Sequence, residues 1–467
     1  MERNIVEHMK CNALNILLGQ RRFDLIFKYL YAKCPCEFHY KAYLEHIRAF
    51  NGFFELNPSD NQPKNTADDF INSFDTLIRS LQDQGYSEDN DAIPLGLNGE
   101  IQDGAHRLAT CAAFGIPIYI AEDTNKPDAI YDYKYFSHQG MDESIMDYGA
   151  LEYVKLNPHA HIVNLHSVTN PKDDTKVEAI LNRYGVIFYK KNVKLTYNGL
   201  VNLKKISYGL LWDRADWIGN IANRYSGAQQ HAQASMGKNY MRIYVFVCDD
   251  LEKLIKAKAE IREIYGIGNF SVHINDCHEE AIWLAETYFN ANSLFYINNR
   301  PFYQEDEVFD KHIEYLKSLL HEHNIQIDDI CLAGSTPLNQ LLLRHSDDID
   351  YLSLDDNFDL EDDIISPHDD QLRYYPFTKE EIITNPTNYS YYHGIKIISL
   401  DVLYKLKRKR GERPKDLNDC MSIKRIKIKS QFDYLLFKHK LKQNPLIGKV
   451  LTKFRVLKNK LKRVINR

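Results

Sequence analysis

The chain lacks the patterns that place a protein in a membrane or among disordered proteins. No run approaches the ~18 apolar residues that a membrane-spanning helix needs, and the first residues show no charged-then-apolar signal pattern. Hydrophobic residues make up 44% of the chain, enough for packed cores, which excludes wholesale disorder. The sequence therefore predicts a soluble, cytoplasmic protein, and its 467 residues predict about three domains.

Paired cysteine motifs are also missing. The eight cysteines are scattered, and no Cys-x-x-Cys pair occurs among them. Only Cys34 and Cys36, on either side of Pro35, lie close together in the sequence. This spacing argues against structural zinc and favours reduced thiols, as is usual in a cytoplasm.

Negative charge is scarce at the C-terminal end. Residues 405–467 hold 22 Lys and Arg against four acids, a charge of +18, although the whole chain carries −5. Beyond Pro445, apolar residues recur at helical spacing with basic residues such as Lys449 and Lys453 between them. The sequence therefore predicts a basic amphipathic helical tail over residues 429–467.

Three partners suit this tail. Residues 446–467 match an anionic membrane surface, which would place the protein peripherally on the inner membrane face. Docking on the chain's own acidic domains is an equal alternative. Nucleic acid, which also attracts basic stripes, ranks third because the tail has few aromatic or glycine residues.

Residues 136–300 alternate between strand and helix patterns. Met241–Val247 predicts a buried strand, Leu251–Tyr265 a helix, and residues 271–274 a further strand. His273 and His278 stand at the next strand-to-helix turn, where α/β sheets place their sites. Metal binding competes here with an ordinary structural role, which we favour. The role of this middle α/β domain stays unassigned.

Two carboxylates and a glycine turn form the first motif with clear chemistry. Asp348 and Asp350 flank Ile349, and residues two apart in a strand share a face. Two carboxylates so close repel each other unless a cation lies between them, and Mg²⁺ is the natural candidate. Upstream, Gly334 and Ser335 end a short apolar strand in a turn that offers N–H groups and a hydroxyl to phosphates.

This arrangement resembles the DNA polymerase β-like nucleotidyltransferase superfamily over residues 305–425. The basic segment KLKRKRGERPKDLND, residues 405–419, also resembles a helical Lys-Asp segment of small members. The resemblance implies that Gly334 and Ser335 hold the nucleotide phosphates. It also implies that Asp348 and Asp350 hold Mg²⁺ and are catalytic. Active members usually add a third carboxylate from a later strand, but residues 394–398 carry none. A domain that only binds nucleotide therefore remains an alternative.

The second motif places polar residues at the start of an apolar helix. The segment Asp103-Gly104-Ala105-His106-Arg107 follows the predicted strand 93–97 and precedes a predicted strand at 116–120. The N–H groups at a helix N-terminus are free and its dipole is positive, which makes an anion site. Arg107 adds bidentate phosphate recognition.

This motif resembles the ParB/sulfiredoxin-like superfamily over residues 20–125, including the predicted helix 67–85. Members bind ATP or CTP; some transfer the γ-phosphate, some partition DNA and some are described as nucleases. The resemblance implies phosphate contacts from Gly104, His106 and Arg107, with Asp103 fixing the turn or aiding a metal. It further implies a catalytic role for His106 and an upstream glutamate base, either Glu45 or Glu55. The alternative is a buried His106 and an Arg107 paired with an acid.

Together these patterns predict a multidomain α/β (α+β) chain. Its parts are a ParB/sulfiredoxin-like α/β domain (1–135), a middle α/β domain (136–300), a nucleotidyltransferase-fold domain (301–428) and the basic tail (429–467). The predicted activity is a Mg²⁺-dependent phosphotransferase or nucleotidyltransferase that uses ATP or another NTP. Its acceptor would be a small hydroxyl compound or sugar, as in surface polysaccharide biosynthesis.

Two other function classes stay open. A nucleotide-gated, ParB-like DNA-binding protein would show salt-sensitive DNA affinity. No convincing helix-turn-helix follows residue 125, so this alternative ranks lower. The third is a nucleotidyltransferase of a defence or toxin system.

Overall fold

The protein combines helices with three separate β-sheets. A computed structural model describes residues 9–56, 63–87, 92–122, 127–210, 216–411 and 413–442. Within these residues, no helix is both long enough and apolar enough to cross a bilayer. The predicted mixed α/β class is confirmed.

The first sheet belongs to the N-terminal domain and is small. Strands β1 (Met9–Cys11), β2 (Ile93–Leu95) and β3 (Ile118–Glu122) lie in the order β1-β3-β2, with β3 antiparallel to β1 and parallel to β2. Its helices are α1 (Ala13–Leu18), α2 (Asp24–Lys33), α3 (Glu37–Asn51), α4 (Ala67–Gln84) and α5 (Ala105–Phe114). The predicted helix over 67–85 is confirmed as α4, which begins with a capping box between Thr66 and Asp69.

Two helices, α6 (Tyr133–His138) and α7 (Glu143–Leu156), lead into the second sheet. Strands β4 (Ala160–Leu165), β5 (Val186–Val193), β6 (Met241–Val247) and β7 (Val272–Ile274) lie in the order β5-β6-β4-β7, and each neighbouring pair is antiparallel. The alternation of strands and helices therefore produces a split β-α-β-β-α-β arrangement, not a parallel sheet with a switch point.

The helices of the middle domain cover this antiparallel sheet and connect it to the next domain. They are α8 (Asp174–Tyr184), α9 (Tyr197–Lys205), α10 (Ser226–Ser235), α11 (Leu251–Tyr265), α12 (His278–Tyr288) and α13 (Ala291–Asn299). The predicted strand Met241–Val247 and helix Leu251–Tyr265 are confirmed as β6 and α11. An acidic cap explains the start of α11, because the Asp250 carboxylate accepts from two backbone N–H groups.

The third sheet follows α14 (Glu307–Glu322) and is mixed. Strands β8 (Ile330–Leu332), β9 (Ile349–Ser353), β10 (Ile365–Pro367), β11 (Tyr389–Tyr392) and β12 (Ile395–Ile398) lie in the order β10-β9-β8-β12-β11. The remaining helices are α15 (Thr336–Gln340), α16 (Lys379–Thr384), α17 (Leu400–Arg410) and α18 (Pro414–Lys442). Strand β9 is antiparallel to β8 and parallel to β10, so β10 is the strand beside the acidic motif.

Two of the predicted domain boundaries fall inside helices. The boundary at 135/136 falls inside α6, and that at 428/429 falls inside α18, which runs unbroken through it. The largest cluster of buried apolar residues includes members of all three domains, among them Phe23, Val245 and Leu338. The domains are therefore packed against one another through a shared core.

A cavity of about 450 Å³ lies between the middle and C-terminal domains. Aromatic rings such as those of Trp283 and Tyr391 form part of its wall, and Glu286 of α12 adds a carboxyl group. Only 5% of Glu286 is exposed, and burial raises its pKa from the ordinary 4.5 to about 8. This carboxyl group is therefore mostly protonated at neutral pH.

We expect Glu286→Gln to change how stability depends on pH. The raised pKa means that Glu286 stabilises the fold fully below pH 4.5 and that this contribution is lost as pH rises towards 8. A pKa unit corresponds to about 1.4 kcal/mol. As pH rises from 5 to 8, the free energy of unfolding of the variant should therefore increase by roughly 2–4 kcal/mol relative to that of wild type. Urea unfolding at both pH values measures this. The exposed Glu279→Gln on the same helix is the control and should show no such change.

Candidate functional site

The acidic motif lies where β8 and β9 run side by side. Asp348 immediately precedes β9 and Asp350 is its second residue, while Ile349 between them is fully buried in the core. The backbone N–H of Ala333 donates to the carbonyl of Asp350 at 2.7 Å, which brings the end of β8 against the motif. Both predicted carboxylates line the same cavity as Gly334 and Ser335. The structure thus brings all four predicted residues together.

Gly334 is required at this turn for two reasons. Its φ of +56° lies in the left-handed region that favours glycine. A Cβ atom at this position would also overlap the carboxylate of Asp350. The absence of a side chain therefore lets the Asp350 carboxylate pack against the Gly334 turn.

Burial and a neighbouring carboxylate disfavour the charge on Asp350. Burial raises the pKa of Asp350, and the nearby Asp348 raises it further. His368 and the hydroxyl of Ser366 act in the opposite direction. A bound divalent cation would offset both the burial and the repulsion, because it attracts the charged forms.

Strand β10 and the residue after it supply neighbours that the sequence did not point to. Ser366 Oγ lies 3.4 Å from Asp350 Oδ1, and His368 Nε2 lies 3.8 Å from Asp350 Oδ2. His368 Nδ1 shares a hydrogen bond of 2.7 Å with the hydroxyl of Tyr375, which fixes the ring. The later strand considered for a third carboxylate, residues 394–398, is β12, which pairs with β8 and not with β9. A histidine that directly follows β10 approaches Asp350 instead.

Basic side chains form part of the cavity wall, here called the cationic wall. Helix α17 ends at Arg410 and α18 begins with Pro414, so the predicted basic segment comprises the end of α17, a turn and the start of α18. Lys407 and Arg410 line the cavity from α17, and Arg413 and Lys415 line it from the turn and α18. These cations and the acidic motif therefore line the same cavity.

Carboxylates of α18 hold this cationic wall in place. Asp416 lies 2.8 Å from Arg410 and 3.2 Å from Lys407, and Asp419 lies 3.0 Å from Lys407. Asp419 also receives Arg344 at 2.8 Å, and the Arg344 guanidinium reaches Ser335 Oγ at 3.3 Å. This ionic network links the cationic wall to the Gly-Ser turn.

The cavity has a volume of about 720 Å³, within the range of small-ligand sites. Its acidic lining includes Asp355, Asp356, Asp359 and Asp369 besides the two carboxylates of the motif. Acidic and basic side chains therefore line one cavity, a combination that suits a ligand with both phosphates and a divalent cation.

The N-terminal motif forms the predicted turn and helix. Gly104 adopts φ +81° and precedes α5, and the Arg107 guanidinium folds back over it. Arg107 also lies 3.6 Å from the Asp103 carboxylate and donates to the Tyr86 hydroxyl at 3.4 Å. Asp103 and Arg107 are therefore paired with each other, as the alternative interpretation expects.

His106 is packed among aromatic rings. Its ring centroid lies 4.6 Å from that of Phe74, and its Nε2 shares a hydrogen bond of 3.0 Å with the Tyr43 hydroxyl. Burial lowers the pKa of His106 well below its ordinary value, so the ring is neutral at physiological pH. A phosphate at this helix would meet a neutral donor and not an imidazolium.

The two candidate glutamates differ in position. Glu55 pairs with Lys64 in an isolated bridge. Burial is the main cause of the raised pKa of Tyr43, the partner of His106, and the charge of Glu55 raises this pKa further. Glu45 is bonded instead to Arg48 and to the backbone N–H of Asp142. Of the two, Glu55 is the one that the structure brings towards the motif.

The middle domain holds a cluster of buried polar groups. His273 Nε2 lies 2.6 Å from Glu280, and His278 Nε2 is 2.7 Å from the carbonyl of Val154, so the two histidines have separate partners. Lys204 Nζ shares a hydrogen bond of 3.0 Å with His166 Nε2. Burial lowers the pKa of Lys204 to about 7. Sequence reasoning missed Lys204, because nothing in its local pattern marks it as buried.

Comparison with known proteins adds no assignment to this geometry. No protein-family model, curated protein or solved structure matches the chain. The predicted membrane-facing segment, 446–467, lies outside the described residues.

Proposed function

We propose that the chain is a Mg²⁺-dependent nucleotidyltransferase that binds ATP or another NTP in the C-terminal cavity. The supporting observation is the convergence of Gly334, Ser335, Asp348 and Asp350 on one cavity that basic side chains also line. Asp348 and Asp350 would hold the metal, and the metal would polarise the α-phosphate under attack. Lys407 and Arg410 would bind the outgoing phosphates.

The acceptor in this proposal is a small hydroxyl compound or sugar. Its hydroxyl must lose a proton as it attacks the α-phosphate, so a base is needed near the metal. His368 Nε2 lies 3.8 Å from Asp350, and burial lowers the pKa of His368. A neutral imidazole in this place takes the role that a third carboxylate has in the superfamily that the motif resembles.

We expect His368→Ala to reduce kcat by about 10²–10³-fold, because general bases contribute on this scale. Nucleotide affinity should change little, since His368 lies beside Asp350 and the proposal assigns the phosphates to Lys407 and Arg410. Steady-state kinetics with a separate nucleotide titration checks the split. His345→Ala, a half-exposed histidine beside Asp306, is the matched control and should keep its turnover. A rise in the nucleotide Kd with unchanged kcat would contradict the proposed role.

The N-terminal motif is proposed as a second phosphate-binding place, at the start of α5. The left-handed Gly104 and the helix N-terminus support it, and Arg107 lies over the turn. In that case the N-terminal domain would phosphorylate the hydroxyl compound and the C-terminal domain would activate the product with a nucleotide. Such a pair of steps makes precursors for polysaccharides.

ATP labelled at either the α- or the γ-phosphate separates these activities. Purified protein with Mg²⁺ and cell extract should transfer the α label to a small molecule. Transfer of the γ label that disappears in Arg107→Ala would assign a kinase step to the N-terminal domain. If neither label moves with any nucleotide, the enzyme proposal fails and salt-sensitive DNA binding becomes the next experiment.

A further inference from the structure

Three sulfur and nitrogen ligands meet between the first long helices of the N-terminal domain. Helix α2 ends at Lys33 and α3 begins at Glu37, so Cys34, Pro35 and Cys36 form the whole connection. His39 follows in the first turn of α3. The two sulfurs and one ring nitrogen all lie within 4.8 Å of one another. Two thiols and an imidazole at such distances can bind a single metal ion.

Cys36 directly precedes the first turn of α3, where the positive end of the helix dipole favours a thiolate. The thiolate is the form of cysteine that binds metals.

The ring of His39 is held by two partners. Nδ1 lies 2.6 Å from the carbonyl oxygen of Cys34, and Nε2 lies 2.8 Å from the hydroxyl of Tyr148 on α7. A histidine that binds a metal through one nitrogen commonly keeps a hydrogen bond on the other, which fixes its tautomer. Binding the metal through Nδ1 would replace the hydrogen bond of that nitrogen with the Cys34 carbonyl, and Tyr148 would remain the partner of Nε2.

Helix α3, whose first turn holds His39, contacts α16 of the C-terminal domain. The cluster therefore lies at the start of a helix that packs against the domain with the acidic cavity.

We propose that Cys34, Cys36 and His39 bind one Zn²⁺ ion, with the fourth coordination position taken by a water molecule or another donor. Two thiolates and an imidazole select a thiophilic ion of tetrahedral preference over Mg²⁺ or Ca²⁺. No zinc motif is recognisable in the sequence because the two cysteines have unusual spacing and the third ligand stands one helical turn further on.

Cobalt is the probe, because Co²⁺ occupies zinc sites and its thiolate complexes absorb visible light. The full-length, reduced protein should bind one equivalent of Co²⁺ with a sulfur-to-cobalt charge-transfer band that Zn²⁺ abolishes. Cys36→Ser and His39→Gln should each lose the band. Tyr148→Phe should weaken affinity by about 10–100-fold, as other second partners of metal-bound histidines do. Cys277→Ser, at the start of α12, is the control and should behave as wild type.

A second measurement uses the wild-type protein, so its result does not depend on whether a variant folds. Zinc should protect Cys34 and Cys36 of the wild-type protein from alkylation, while Cys277 keeps its rate; mass spectrometry of the peptides reads this. Zinc should also raise the Tm of wild type but not of Cys36→Ser. Sub-stoichiometric cobalt, an unchanged band in both ligand variants, or equal alkylation with and without zinc would each overturn the proposal.

Discussion

Asp350→Asn is expected to abolish nucleotidyl transfer, with a fall of at least about 10³-fold. The metal supplies several kcal/mol of charge stabilisation, and each 1.4 kcal/mol corresponds to a factor of ten in rate. The same variant should unfold at a higher temperature than wild type when Mg²⁺ is absent. The reason is that burial and Asp348 already disfavour the charge on Asp350. Lower activity combined with higher stability separates loss of the metal site from misfolding.

Asp347→Asn is the matched control for this prediction. Asp347 is the neighbour of Asp348, but its side chain is 98% exposed and lies beside His345, outside the cavity lining. Its transfer rate and its stabilisation by Mg²⁺ should equal those of wild type. If Asp350→Asn still transfers the α label, or still gains stability from Mg²⁺, the assignment of the metal to Asp350 is wrong.

Asp24→Asn is expected to cost about 3–5 kcal/mol of the free energy of unfolding. Asp24 is completely buried at the start of α2, where it lies 2.8 Å from Arg22 and 2.5 Å from Lys28. Burial alone would raise the pKa of Asp24, yet these two cations hold it well below its ordinary value. Removing the anion leaves two buried cations unpaired. Denaturant unfolding at pH 7 measures the loss.

The exposed pair Glu37 and Lys41 provides the control, because it has the same spacing of four residues on a helix. Glu37→Gln should change stability by no more than about 0.5 kcal/mol, as exposed ion pairs contribute little. Replacing the whole buried group, with Arg22→Met, Asp24→Leu and Lys28→Met together, should recover most of the loss. A loss below 1 kcal/mol for Asp24→Asn would show that water reaches this cluster.

Local chemistry determined what could be predicted from the sequence. Thr66 and Asp69 mark the start of α4 by their side chains, and Gly104 marks the turn before α5. The Gly334 turn and the alternating acids around Ile349 also depend only on neighbours in sequence. Such signals lie within a few residues, so the helices and turns that carry the candidate residues were predictable.

Long-range pairing was not predictable. Strand β10 has three residues, ends in proline and follows an acidic segment, so no alternating pattern identifies it. Its place beside β9, and with it the contact of His368 with Asp350, depends on how the sheet is assembled. The antiparallel arrangement of the middle sheet was not predictable for the same reason, because strand direction is set by connections and packing and not by local alternation. The cluster of Cys34, Cys36 and His39 is a different case, because its members lie close together in the sequence. It was missed because they meet only through the turn between two helices.

Helix α18 has a mechanical consequence. It contains 29 residues, and a rise of 1.5 Å per residue makes it a rod of about 43 Å. Its first turns hold Asp416 and Asp419, the anions that fix the cationic wall. A rigid rod cannot tilt at one end without moving the other, so a force applied beyond Lys442 acts with a long lever arm on the residues that line the cavity.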